Sequence, residues 1–226
     1  MPRSTASVAF AFVFAGFALA IKADITVDNF EAAPFNISDI LADDLSVSNF
    51  QTGIPDILGG TRKSILQTNV PGNVSASLSL QSVDNGVSVT KVRNGDPVPV
   101  DFDAVISFEY GAPRLRLNTD LTGGGQYDRF RISFSDLSAP IWLAVALGEN
   151  GVGITQNQNP LIVTGPGSYD LPFSDFAFAT RLNLIHVDGI WLGLGFSDTP
   201  ASASFVLTDF RVVPEPAAML LLGAGS

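Results

Sequence analysis

Arg129-Phe130-Arg131-Ile132-Ser133-Phe134-Ser135 alternates bulky apolar residues with arginine and serine. Side chains of an extended backbone point to opposite sides in turn. This spacing therefore puts Phe130, Ile132 and Phe134 on one face and the polar residues on the other. Val74, Ala76, Leu78 and Leu80 alternate with Ser75, Ser77 and Ser79 in the same way. Further extended runs are Ile25–Phe30, Ile57–Thr68, Val87–Val92, Phe102–Tyr110, Ile141–Leu147, Leu161–Thr164, Gly189–Phe196 and Ser204–Val212. Turn formers punctuate them, as in Asn94-Gly95-Asp96-Pro97 and Gly123-Gly124-Gly125. No long stretch between the termini shows an apolar period of 3.6 residues. Many short strands with such punctuation predict an all-β, antiparallel sandwich or barrel. The expected core includes Leu78, Phe130, Ile132, Phe134, Leu143, Val145, Leu192 and Leu194. No internal repeat and no shift in composition marks a second domain.

The ends differ from this middle. Arg3 precedes an apolar run from Val8 to Leu19, and Ala18-Leu19-Ala20 places small residues at cleavage subsites. That is the pattern of a helical secretory signal peptide over residues 1–23, with cleavage after Ala20 or Ala23; an uncleaved anchor would need a longer apolar run. About 200 residues then remain, enough for one sizeable core. They carry ten basic against 22 acidic residues, a formal charge of −12. Such a surface argues against nucleic acid, whose binding depends on neutralising phosphates. The absence of cysteine excludes a disulfide scaffold and a Cys-ligated zinc or iron–sulfur site. Stability must come from burial, which 17 phenylalanines and 46% apolar residues can supply.

At the other end, Pro214-Glu215-Pro216 is followed by Ala217-Ala218-Met219-Leu220-Leu221-Leu222-Gly223. This stretch resembles the PEP-CTERM sorting signal of exported bacterial proteins, which continues into an apolar helix and an arginine cluster. The resemblance implies processing by a membrane exosortase-type sorting protease. The encoded segment 214–226 is incomplete: about eight apolar or small residues stand against the roughly 20 of a spanning helix. An exported product, at the cell surface or released, is expected.

Within the β class, Tyr169-Asp170-Leu171-Pro172-Phe173-Ser174-Asp175-Phe176, His186-Val187-Asp188-Gly189-Ile190 and Leu207-Thr208-Asp209-Phe210 resemble the C-terminal half of carbohydrate-binding-module-like jelly rolls. Ile25-Thr26-Val27-Asp28-Asn29-Phe30-Glu31 is similar to their first strand. The resemblance implies a jelly-roll-like sandwich over residues 24–213 whose first and last strands pair. That pairing would bring Asp28, Glu31 and Asp209 together, either as solvated acids or as part of a structural calcium site. Calcium takes six or more oxygens, of which these are three residues' worth.

Enzyme chemistry finds little footing. His186 is the only histidine and falls in one phase with Leu184 and Asp188, as on a strand. No Gly-x-Ser-x-Gly elbow supplies a nucleophile for it. Glu31, Glu109 and Glu149 are the only glutamates between residues 24 and 213, and none sits in a recognisable motif. A glycosidase carboxylate pair is a matter of spatial separation and stays open. Gly123-Gly124-Gly125 lacks the lysine and helix start of a phosphate cradle and reads as a hairpin loop.

Two features point to a ligand. In Ile141–Gly148, Trp142 shares its phase with Ala144, Ala146 and Gly148; in Ile190–Phe196, Trp191 shares its phase with Gly193 and Gly195. If the aliphatic phase makes the core, each indole stands on the opposite face among small residues. There it can stack on a sugar ring, unless loops or the termini cover it. The second feature is basic. Leu115 and Leu117 facing the same core as Phe130, Ile132 and Phe134 across Gly123–Gly125 would put Arg114, Arg116, Arg129 and Arg131 on one outer face. Their guanidinium forks would suit an acidic polysaccharide, or would pair locally with Asp120, Asp128 and Asp136. The sequence thus predicts an exported, non-enzymatic surface or matrix protein that contacts polysaccharide and needs no cofactor. A structural or adhesive protein without a sugar site and a glycoside-active enzyme are the alternatives.

Overall fold

The computed structural model describes residues 23–31, 35–39, 46–68, 75–95, 104–111, 117–176, 183–197 and 200–214. The segment 1–23, expected to be a signal peptide, lies outside them except for Ala23, and so do Arg114, Arg116, Glu215 and Pro216. Among the described residues the strands are β1 (Ile25–Asp28), β2 (Asn36–Asp39), β3 (Ser46–Thr52), β4 (Thr61–Thr68), β5 (Ser75–Val83), β6 (Gly86–Asn94) and β7 (Ala104–Tyr110), followed by β8 (Tyr127–Leu137), β9 (Ile141–Glu149), β10 (Gly153–Gln156), β11 (Leu161–Val163), β12 (Gly167–Pro172), β13 (Gly189–Phe196) and β14 (Ser202–Pro214). Helical structure among them is limited to three short 3-10 turns.

The strands form two antiparallel sheets. Sheet I runs β12-β8-β14-β6-β5-β2, with β1 also paired to β14; sheet II runs β10-β9-β13-β7-β4-β3, with β11 also on β9. The chain crosses between sheets at β2 to β3, β4 to β5, β6 to β7, β7 to β8, β8 to β9, β11 to β12, β12 to β13 and β13 to β14. This is a jelly-roll-like antiparallel β-sandwich. First and last strands pair, Ile25 opposite Val212 and Thr26 opposite Arg211.

Alternation fills the space between the sheets. Phe130, Ile132 and Phe134 of β8 and Leu78 and Leu80 of β5 are buried, as are Leu143 and Val145 of β9 and Leu192 and Leu194 of β13. Every expected core residue is inside. Phe196 of sheet II meets Phe205 of sheet I with ring centroids 5.4 Å apart, and Tyr110 meets Phe210 at 5.9 Å. The strands that alternation did not reveal, β2, β3, β10 and β12, are short or polar and sit at sheet edges.

Two irregularities break the alternation where the termini meet. The β1–β14 register shifts between Thr26 and Asp28, so Val27 and Asp28 are both buried. The β14–β8 register shifts around Leu207 to Asp209, so Leu207 and Phe210 both reach the core. Such bulges invert the faces of everything beyond them. Asp28 is turned into the sandwich, where its Oδ2 accepts from Arg62 Nη1 at 2.8 Å and from the Tyr110 hydroxyl at 3.0 Å. Its Oδ1 accepts the Phe30 N–H at 2.7 Å. Gln51 accepts from Nε and Nη2 of Arg62, and the guanidinium carbon lies 4.6 Å from the Phe35 ring centroid. Burial pushes the Asp28 carboxyl up from its ordinary value against the pull of Arg62, and pushes the Tyr110 phenol well up.

Ile132→Ala is expected to cost about 2–5 kcal/mol in a denaturant titration, since the residue is fully enclosed. Asp28→Ala should cost about 3–5 kcal/mol because it strands the Arg62 charge in the interior. Combining Asp28→Leu with Arg62→Met should be less damaging than Asp28→Ala alone. A double variant as unstable as the single one would show that the charge is not the reason.

Candidate functional site

The inward phase of β9 and β13 is all aliphatic or Phe, which forces Trp142 and Trp191 outward onto the exposed face of sheet II. Strand pairing sets their surroundings. Gly195 lies opposite Trp142, Gly193 opposite Ala144, and Trp191 opposite Ala146. The indoles therefore bracket a strip floored by Ala144, Gly193 and Ser107, which continues laterally to Ile65 and Ser48. They start four residues apart along β9, about 13 Å at the strand rise. Trp142 is 37% exposed and Trp191 half-buried.

Gly148 explains the partial burial of Trp191. A methyl group built on Gly148 would lie 2.8 Å from both Cη2 and Cζ3 of the indole. The ring thus occupies the space over that glycine, beside Ile154 of β10. Laid over the strand in this way, the indole keeps an exposed part available to a ligand. The same cross-strand row continues from Trp191 to Glu109, Lys63 and Phe50. Lys63 Nζ and Glu109 Oε2 are 3.2 Å apart, and Phe50 is 46% exposed. Ile162, opposite Trp142, is 54% exposed. Sequence reading singled out the two tryptophans but not Phe50, Lys63 or Glu109. The row that joins them is set by pairing across four strands, and β3 carries no alternation to announce it.

Of the expected basic patch only Arg129 and Arg131 fall among the described residues, since Arg114 and Arg116 lie outside them. Segment 117–121 does not form a hairpin with β8. Leu117 and Thr119 donate to the carbonyls of Asp188 and Val187, and Leu121 donates to that of Leu184. The Gly123–Gly125 loop is closed by Asp120, whose carboxylate accepts from Thr122 and Gly124. The Thr122 hydroxyl holds that carboxyl below the usual range. Arg129 and Arg131 do share the outer face of sheet I, yet both are engaged. Arg129 donates twice to Asp128, and Arg131 donates twice to Asp170 at 2.7 and 2.8 Å. Arg131 accordingly holds the Asp170 carboxyl below its ordinary value. The neighbour opposite Arg131 is Arg211, which sequence reading did not place there and which is itself paired with Asp209 and Asp24. Three arginines face four aspartates. Among the described residues the arginines of this face are charge-paired rather than a free cationic cluster.

The proposed calcium ligands are likewise separated. Asp28 faces inward onto Arg62, whereas Asp209 sits on the far side of the bulges against Arg211. Glu31 is exposed and accepts from Asn29. Among the described residues no group of three His, Cys, Asp or Glu side chains is arranged to hold a metal. His186 is exposed at the end of the 3-10 turn Leu184–His186 rather than on a strand. Asn183 caps that turn, its side chain accepting the Ile185 N–H. Of Pro214-Glu215-Pro216, Pro214 ends β14 opposite Tyr127, and the rest lies outside the described residues.

Fold and exposed face together define an antiparallel jelly-roll-like sandwich with an aromatic outer surface on one sheet. No family model matches the chain, and no curated protein matches it in sequence. Among solved structures it is similar to a family 11 carbohydrate-binding module from Clostridium thermocellum in complex with a β-1,3-1,4-mixed-linked tetrasaccharide. That likeness has 12% identity and a TM-score of 0.43, over 84% of this chain and 95% of that one. A non-crystalline-cellulose-specific module, CBM28, aligns at 7% identity and a TM-score of 0.38, over 61% of this chain and 82% of that one. A CBM4 structure aligns at 11% and 0.38, over 84% and 100%.

Gly148→Ala, made in a Trp142→Phe background, should lift the Trp191 ring off β9. A larger acrylamide quenching constant and a red-shifted emission are expected relative to the background alone. Unchanged fluorescence would mean that the indole does not rest on Gly148.

Proposed function

We propose that this protein binds polysaccharide on the outer face of sheet II, without catalysis, as an exported surface or matrix component. The observation that carries the reading is Trp191 laid across Gly148 in one row with Glu109, Lys63 and Phe50, with Trp142 across the small-residue strip. A part-exposed indole offers apolar area to the C–H face of a sugar ring. The Lys63–Glu109 pair supplies a donor and an acceptor for hydroxyl groups between Trp191 and Phe50. Burial of aromatic surface of this kind needs no cofactor. Uncharged polymers suit the face better than acidic ones, because the arginines of sheet I are already paired and the chain is acidic overall. Export through residues 1–23 and hand-over to an exosortase-type protease at Pro214-Glu215-Pro216 complete the proposal; they rest on the sequence patterns at the two ends.

Purified protein incubated with insoluble neutral and acidic polysaccharides should be retained by at least one neutral polymer and release no reducing ends from it. Trp191→Ala and Trp142→Ala should each weaken retention about five- to thirtyfold, the equivalent of 1–2 kcal/mol. Retention unaffected by both changes would move the site off this face. Absence of retention would favour a structural or adhesive role, and release of reducing sugar would favour an enzyme.

A further inference from the structure

A cavity of about 600 Å³ opens on the other side of the molecule from the tryptophan face, where β1, β14 and the turn between β3 and β4 meet. Its walls are Thr26 and Asn29 at β1, Asp209 and Arg211 on the outer side of β14, and Pro55 to Gly59 of the turn. That volume lies within the range of small-molecule sites.

The turn is held in place by the fold. Asp28 bridges to Ile57, Gly60 donates to the Ile57 carbonyl at 2.7 Å, and Ile54 donates to Gly60 at 3.1 Å. Gly59 has φ +72° and lies directly against the Leu117 side chain, so no larger residue fits there without displacement. The wall is therefore formed before any ligand arrives.

The chemistry of the lining selects the ligand. Arg211 uses Nε and Nη2 on Asp209 and Nη1 on Asp24. A guanidinium has five N–H donors, so two remain to donate into the cavity. Asp56 places an exposed carboxylate on the rim as an acceptor, and Thr26 adds a hydroxyl. Pro55, Ile57 and Leu58 form an apolar side. Asp209 and Asp24 already balance Arg211, and Asp56 adds a further carboxylate to the lining, so an anion is disfavoured. Asp209 already receives two N–H bonds from Arg211, and no metal-holding triad exists among the described residues, so a cation has no prepared ligand set. What remains is an uncharged, polyhydroxylated molecule with one apolar face, whose adjacent hydroxyls can both accept from Arg211 and donate to Asp56.

We propose that this cavity is a second ligand site that takes a single hexopyranose unit, free or at the end of a glycan chain, independently of the outer face of sheet II. Calorimetric titration of the purified full chain with glucose, galactose and mannose tests it. At least one sugar should bind saturably, and Asp56→Ala should weaken that binding about tenfold or more, as for loss of a hydrogen bond to a charged group. Leu58→Trp, which fills the cavity, should abolish it. Trp191→Ala should leave it unchanged. Unfolding midpoints of the variants, followed in parallel, check that the fold persists, and Asp56→Ala decides the matter if Leu58→Trp does not fold. A titration without saturable heat for all three sugars overturns the inference, as does sugar binding that survives Asp56→Ala or is lost with Trp191→Ala. Retention on polymers through sheet II is read separately, so either site can fail alone. A polymer that competes with the bound hexose would identify a chain end rather than a free sugar as the occupant.

Discussion

The buried contact of Asp28 with Arg62 and Tyr110 ties the two sheets together at the point where the chain ends meet. Asp28 belongs to β1 in sheet I, and its partners belong to β4 and β7 in sheet II. All three side chains are excluded from water. Removing a carboxylate and a guanidinium from solvent is costly, and their attraction compensates only when the remaining hydrogen-bonding groups are also satisfied. Gln51, the Phe30 N–H and the Phe30 and Phe35 rings supply that surrounding. The arrangement tolerates little displacement. It holds β1 on β14 and, through the bridge from Asp28 to Ile57, sets the turn that walls the cavity.

The bulges in β1 and β14 make this contact possible. A regular β14 would carry one alternation from Phe205 through Val213 and leave either Leu207 or Phe210 facing solvent. The shift near Thr208 lets both enter the core and turns Asp209 outward beside Arg211. The matching shift in β1 sends Asp28 the other way. Two acids that look equivalent in the sequence thereby become an internal tie and an external partner for arginine. An acidic cluster shared by the first and last strands is what the bulges prevent.

The two outer faces of the sandwich have opposite characters for related reasons. On sheet I, bidentate arginine–aspartate pairs run across β8, β12 and β14 and leave little unbalanced charge. Partly exposed pairs of this kind contribute little stability individually. On sheet II, glycine and alanine opposite the tryptophans leave space above the backbone, and Trp191 fills part of it by lying down over Gly148. Small residues thus decide how much of the Trp191 indole stays exposed.

The alternation in Arg129–Ser135, Ile141–Gly148 and Ile190–Phe196 was sufficient by itself to determine strands, the core and the outward direction of both tryptophans. Those properties follow from a two-residue period that is local to each segment. The predominance of strand among the described residues and the pairing of first and last strands were likewise legible, the latter through its resemblance to jelly rolls. The partners were not. Arg131 meets Asp170 and Arg211, and Trp191 meets Glu109, because of register between strands far apart in sequence. His186 left its expected strand because Asn183 caps a 3-10 turn there. Segment 117–121 bonds to residues 184–188 rather than to β8, a pairing that no local period announces. Where a bulge inserts one residue, local periodicity continues to read the wrong face, and only the packed sheets decide which side an aspartate takes.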